Sequence, residues 1–247
     1  MKIIIAPAKK MVVDVDTFNY QALPVLLDQT TNLLARLRTF NYAELKQLWH
    51  CSDKLAQPNY DWLQKMDLHH QLTPAILSYS GIQYQYMAPD LFTDAGLAYI
   101  QDNLRILSGF YGCLRPFDGV VPYRLEMQSK LTMPGAHNLY DFWGDQPYHA
   151  VTTTAEPIIN LASQEYAKAI RPYLAPQQAM IDIVFATEVD GRLKTKATLA
   201  KMARGEMVRY LAEHQITTLA GVREFDHPHY RYAAEESTEQ KIVFIQH

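Results

Sequence analysis

Between Ile106 and Leu131 the chain reads ILSGFYGCLRPFDGVVPYRLEMQSKL, and five charged residues, Arg115, Asp118, Arg124, Glu126 and Lys130, are set into an otherwise aromatic and aliphatic run. Burying a charge is costly unless it is paired or bound to something. Such a cluster is therefore either an internal ion network or the wall of a site. Other cations stand near the ends of apolar runs: Lys9 and Lys10 follow the isoleucines and Pro7, and Arg115 follows Ser108-Gly109. A third run of this kind, Pro157 to Leu161, carries Asn160 and ends at Ser163, which is placed to open a helix. In open α/β sheets ligands collect beyond the carboxyl ends of strands, and helix N-termini favour anions. If these strands are parallel neighbours, Lys9, Ser108, Arg115, Asn160 and Ser163 converge on one cleft suited to phosphate. The plainer reading makes Gly109 and Gly112 turn residues and Ser163 a cap.

Two further groups extend the cationic set. Arg124 and Glu126 lie two apart and so share one face of an extended segment. They form either a structural ion pair or a phosphate fork oriented by its acid, with Glu126 or Asp118 as the carboxylate for any acid–base chemistry. From Ala197 a helix carries Lys201 and Arg204 three apart, with Arg209 beyond them and Gly205 in mid-helix. A mid-helix glycine costs about 1 kcal/mol relative to alanine and points to a close approach of backbone or ligand. A solvated basic face is the alternative for these residues and for Lys194 and Lys196.

The elements that must hold these residues follow from periodicity. Strands are predicted at Lys2 to Ile5, Leu104 to Leu107, Tyr123 to Met127, Pro157 to Leu161 and Ile242 to Ile245, with Ile76 to Tyr86 also extended. A hairpin of Ala179 to Thr187 and Arg192 to Thr195 turns at Asp190-Gly191. Helices are predicted at Leu23 to Arg38, Tyr42 to Trp49, Asp53 to Met66, Asp94 to Asn103 and Ala197 to Glu213. Strands and helices mixed throughout give an α/β fold, a mixed sheet with surrounding helices, in one compact domain over residues 1–247.

The chain has 247 residues, 48% hydrophobic and 20% charged, with a net charge of -3. No apolar run approaches the roughly 20 residues of a membrane span, and the N-terminal apolar stretch is short for a signal peptide. Two cysteines, Cys51 and Cys113, fit a reduced cytoplasmic setting rather than a disulfide framework. The acidic total argues against a dedicated nucleic-acid binder, yet the basic excess between Asp190 and Arg209 leaves room for a local positive surface. Asp226, His227 and His229 lack the helical spacing of a metal pair. No metal site and no cofactor is expected. Cys113 reads as a buried, inert thiol.

Five segments carry a resemblance: KIIIAPAKKM (Lys2 to Met11), the Ile106 to Leu131 run, LYDFWGD (Leu139 to Asp145), INLASQEY (Ile159 to Tyr166) and KMARGEMVRY (Lys201 to Tyr210). In this order they resemble the YaaA family, associated with resistance to peroxide stress. The resemblance implies DNA binding through a basic cleft and a helix-hairpin-helix element, and a link to limiting reactive iron. The hairpin would be residues 42–66, with Ser52 and Lys54 near a phosphate. It lacks a glycine and is acid-rich, so an ordinary helical hairpin is an equal reading. On this view Lys9, Lys10, Arg115, Arg124, Lys130, Lys201, Arg204 and Arg209 contact phosphates of DNA, double-stranded or with unpaired bases. Phe110, Tyr111 and Tyr123 are then available to stack on an unpaired base. The competing class is a base-releasing hydrolase using Glu126 or Asp118, and a third is a small-molecule or protein-interaction domain. A monomer is compatible with all three.

Overall fold

The computed structural model describes residues 1–247. The chain opens with β1 (Lys2–Ile5), followed by α1 (Leu27–Leu37) and the helical hairpin α2 (Tyr42–Trp49) and α3 (Asp53–Lys65). Next come β2 (Thr73–Pro74), α4 (Ala75–Ser78), α5 (Ile82–Met87) and α6 (Asp94–Asn103). The middle holds β3 (Leu104–Ser108), β4 (Gly112–Leu114), β5 (Gly119–Val120), α7 (Leu139–Trp143), α8 (Gln146–Val151), β6 (Ile158–Leu161) and α9 (Gln164–Ala167). The last third holds β7 (Met180–Val189), β8 (Arg192–Lys194), α10 (Ala197–Glu213), α11 (Leu219–Arg223), β9 (Tyr230–Tyr232) and β10 (Lys241–Gln246).

Five parallel strands form the centre of the main sheet in the order β3-β1-β6-β7-β10. Antiparallel β4 and β9 close its two edges, and β8 folds back on β7. The central strands are apolar on both faces, as parallel strands covered on both sides must be: Ile3, Ile4 and Ile5 are fully buried, with Ile5 level with Ile106 and Leu161. A second, two-stranded sheet pairs β2 with β5. One contiguous core runs from Ile3 to Phe244, so the α/β fold in a single compact domain stands.

Taken in chain order, the parallel strands lie second, first, third, fourth, fifth. Strand order therefore reverses between β1 and β6. Beyond the carboxyl ends of strands at such a reversal the connecting loops part in opposite directions and leave a crevice, the usual ligand site of doubly wound sheets. Here Ala6 to Lys10 leave β1, and Ala162 and Ser163 leave β6, on its two sides.

Two predicted strands are absent. Ile76 to Tyr86 forms α4 and α5, separated by a break that ends at Gly81. Its buried residues Ile76, Ser78, Tyr79, Gln83 and Tyr84 fall on both sides of the break, and helices of four and six residues are too short to set a period in the sequence. Tyr123 to Glu126 joins no ladder, and Met127 lies in a turn. The segment lies across Gly109, where an added Cβ would stand 2.6 Å from the Leu125 carbonyl oxygen. The inward-outward alternation holds without the sheet: Tyr123, Leu125 and Met127 are buried, while Arg124 and Glu126 are partly exposed.

The 42–66 segment is a helical hairpin. Asn41 and Glu44 form a reciprocal capping box on α2. With no glycine at the turn, His50 takes the left-handed conformation, φ 44°. The Ser52 side chain caps nothing, and Lys46 is drawn to Asp53 at 2.7 Å. No helix is long and apolar enough to cross a membrane.

Candidate functional site

The crevice at the strand reversal is a cleft of about 520 Å³. One wall is the loop after β1, Ala6 to Lys10, and another is the entry to α5, Ser80 to Tyr84. The extended run Tyr123 to Glu126 and the turn bearing Ser163, Glu165 and Tyr166 close two more sides. Helix α10 contributes Lys201 and Arg204. The helix can do so because Gly205 lets it lie against α5: a Cβ there would stand 2.2 Å from the Gln83 carbonyl oxygen.

Charge in the cleft is unbalanced. Lys9, Lys10, Arg124, Lys201 and Arg204 face Glu126 and Glu165 alone. Glu126 is shared: its Oε1 lies 3.2 Å from Lys9 Nζ and 3.7 Å from Arg124 Nη2. Neither Lys10, Lys201 nor Arg204 has an acid within ion-pair distance. Burial lowers the pKa of the Arg204 guanidinium, against the opposing charge of Asp182. Burial pushes the Glu165 carboxyl up, and the Glu126 charge adds to the rise, while the Gln128 N–H and Lys9 act against it.

Three buried donors on this cleft have no partner within the protein: Arg124 Nε, Arg204 Nε and Gln83 Nε2. They are half of all such side-chain atoms in the molecule. An unmet buried donor costs about 1–3 kcal/mol, more when charged. Their grouping marks a place where the fold keeps donors for something that carries acceptors.

Beneath the cleft, Ser108 and tyrosines form the floor. Ser108 Oγ accepts the N–H groups of Phe110 (3.1 Å) and Tyr111 (2.9 Å) and lies 2.6 Å from the Tyr123 hydroxyl. With both lone pairs taken, its proton goes to Tyr123. Tyr123 in turn lies 2.8 Å from the Tyr79 hydroxyl. Tyr84 donates to the Ala6 carbonyl at 2.9 Å and fixes the loop after β1.

Strands β1, β3 and β6 are parallel neighbours as expected, but only part of the predicted set meets in the cleft. Lys9, Lys10, Arg124, Glu126, Ser163, Lys201 and Arg204 line it. Ser108 belongs to the floor beneath the cleft, fully buried, and does not line it. Asn160 is buried and supports the turn, donating to Asp182 at 2.7 Å and accepting from the Ala162 N–H at 2.9 Å. Arg115 lies outside, clasping Asp118 with Nε and Nη2 both 3.0 Å from Oδ1. Asp118, completely buried and with its pKa raised by burial against the pull of Arg115, is likewise removed from the cleft and from any catalysis there. Arg209 pairs with Glu213 at 2.7 Å, and Lys130 is exposed elsewhere. Phe110 and Tyr111 are sealed in the core and cannot stack on a base, whereas Tyr123 does reach the cleft.

Sequence reasoning missed Gln83, Tyr84, Glu165 and Tyr166. Gln83 and Tyr84 sit in the stretch read as a strand, and a neutral amide gives no charge signal. Glu165 and Tyr166 stand inside INLASQEY, two and three residues after Ser163, so that motif pointed toward them. His227 is occupied in the fold: Nδ1 accepts the His229 N–H at 3.1 Å and Nε2 faces Glu206 at 2.8 Å.

Residues 1–236 match the sequence profile of the family described as peroxide stress protein YaaA. The chain is 68% identical over 245 residues to the UPF0246 protein of Lactiplantibacillus plantarum, covering 99% of both chains. It is 58% identical to that of Lacticaseibacillus casei, again over 99% of each, and 48% identical to that of Agathobacter rectalis, over 99% of this chain and 98% of the relative. The length and evenness of these matches, together with the five ordered segments, leave one conclusion: this chain belongs to the YaaA family of peroxide stress proteins.

Proposed function

We propose that this chain serves the peroxide stress response in the cytoplasm by binding DNA through the cleft at the strand reversal, chiefly by phosphate contacts. The observation that carries the reading is the imbalance of five cations against two acids, with the buried guanidinium Nε atoms of Arg124 and Arg204 unpartnered. Arginine forks suit phosphate, and the exposed Lys9, Lys10 and Lys201 suit the backbone of a strand at the rim. The α2–α3 hairpin offers the N-terminus of α3 as a second phosphate contact, weakened by the Lys46–Asp53 pair. Any limiting of reactive iron is indirect and follows from protected DNA or from partners.

Each neutralised phosphate contributes about −0.9 to the slope of log Kobs against log salt. Three rim lysines therefore predict a slope of about −3 for a short duplex titrated between 50 and 200 mM salt. Fluorescence anisotropy reads it, and a combined Lys9→Ala, Lys10→Ala and Lys201→Ala variant flattens the slope. Binding that ignores both salt and these lysines refutes the proposal.

A base-releasing hydrolase is the second reading. It is favoured by one observation: Glu126 and Glu165 share the cleft in different environments, the first ion-paired and the second with a raised pKa. Such a split suits an acid and its complementary carboxylate. Free base released from a damaged duplex by the wild type and not by Glu165→Gln supports it. Tight binding with no release removes it.

A further inference from the structure

The cleft has two zones with different reach. Lys9, with 67% of its side chain exposed, stands at the rim with Lys10 and Lys201. Arg124, 9% exposed, and Gln83, 6% exposed, lie inside with Arg204. A duplex is a broad object, its major groove alone about 12 Å across. It can lie over the rim, but the cleft, about 520 Å³ with its rim included, is too small to take the duplex itself. That volume falls within the ~300–1,000 Å³ of small-molecule sites. The inner zone therefore takes something the size of a monomer.

Its chemistry narrows the class. The unmet atoms of the inner zone, Arg124 Nε, Arg204 Nε and Gln83 Nε2, are all donors, and two carry positive charge. The complementary ligand presents an acceptor to each of these atoms and negative charge to the two arginines. Tyr84, Tyr123 and Tyr166 supply aromatic edges around the same space. Apolar ligands leave the donors unmet, and a bare anion leaves the amide and the aromatic edges unused.

We infer that the inner cleft is a subsite for one nucleotide unit, its phosphate against Arg124 and Arg204 and an acceptor on its base against the Gln83 side-chain amide. Where the nucleotide belongs to a strand, it enters by leaving the stack, which is least costly where it is already unpaired. The inference rests on the nucleic-acid reading above for its strand-borne form. The same chemistry also admits a free nucleotide.

The experiment separates these sources. Anisotropy is measured for a fully paired duplex and for one with a single-nucleotide bulge, using the wild type, Gln83→Leu and Arg204→Gln. In parallel, thermal unfolding is followed with deoxyadenosine monophosphate, deoxyguanosine monophosphate or inorganic phosphate. For a strand-borne nucleotide, wild type prefers the bulged duplex by at least about fivefold, a bulged nucleotide being already unpaired, and both variants lose the preference. For a free nucleotide, a monophosphate raises Tm more than phosphate does, the Arg204→Gln protein does not respond, and no bulge preference exists. If neither duplex binds at low salt, the DNA reading fails and the monophosphate arm alone decides the subsite. Equal affinity for both duplexes with no Tm response to a monophosphate overturns the inference. A response to inorganic phosphate as large as that to the monophosphates, without bulge preference, overturns it as well, because the amide and aromatic edges then contribute nothing. Unchanged bulge preference in both variants also overturns it.

Discussion

Gly205→Ala places a methyl group at the contact on which the cleft is assembled. The new Cβ would stand 2.2 Å from the Gln83 carbonyl oxygen, 2.9 Å from the Met87 nitrogen and 3.0 Å from Tyr86 Cβ. Two of these atoms are backbone, so no rotamer change relieves the overlap. Restoring ordinary contact requires α10 and α5 to separate by about 1 Å, in an interior packed near crystal density. Overpacking of this kind costs about 1–3 kcal/mol, and backbone-on-backbone overlap belongs at the upper end. Alanine returns about 1 kcal/mol of helix propensity. The net loss is about 2 kcal/mol, and at about 2–4 °C per kcal/mol for a chain of this size Tm falls by about 4–8 °C. Because Arg204 precedes the glycine and Gln83 carries the struck carbonyl, the same displacement weakens anion binding at temperatures where the variant remains folded. Calorimetry and a binding titration at 20 °C read both effects. A Tm equal to or above that of the wild type would show that propensity outweighs the contact and that the α5–α10 approach does not hold the cleft in place.

Three other outcomes follow from the same geometry. Tyr123→Phe leaves the Ser108 hydroxyl proton without its acceptor in the core and costs about 1–3 kcal/mol, measured as a lower urea midpoint; an unchanged midpoint refutes the hydrogen-bonded floor. Glu165, its pKa raised by burial above the ordinary 4.5, holds its proton longer folded than unfolded. Stability therefore falls as pH rises from about 4.5 through the folded pKa. Glu165→Gln removes that slope and, by deleting a negative charge from the cleft, tightens polyanion binding; identical urea-midpoint profiles from pH 4.5 to 7 for the two proteins sink the assignment. The Cys113 thiol is buried and pushed up to about 12 by that burial. It resists iodoacetamide at pH 7.5 in the native protein while the partly exposed Cys51 reacts, and stoichiometric labelling of native Cys113 contradicts the buried placement.

Much of the frame was legible in local pattern. Helices α6 and α10 lie where their periodicity puts them, the hairpin turns at Asp190-Gly191 with both residues at positive φ, and β1, β3 and β6 follow their apolar runs. These features depend on neighbours within a few residues, and sequence records such neighbours directly. The helices at Ile76 to Tyr86 escaped because, at four and six residues, each is too short to establish a period. Tyr123 to Met127 kept its alternation but not its sheet, since joining a ladder depends on which backbone lies alongside.

The division is sharpest among the cations. Arg115 and Arg204 are equally conspicuous in the chain, yet one is clasped by Asp118 and the other has no acid partner. The neighbouring Gly205 signals a close approach at Arg204, but its lack of an acid partner is not written nearby, because an ion pair is decided at 3–4 Å in space by groups far away in sequence. Gln83 was invisible for the same reason: a neutral amide becomes a site residue only when the fold surrounds it and leaves its donor unmet. The amino-acid order by itself determined the central parallel strands, the main helices and the supply of positive charge. Tertiary structure alone decided which charges are spent internally and which remain for a ligand, because burial and pairing are properties of the whole packed molecule.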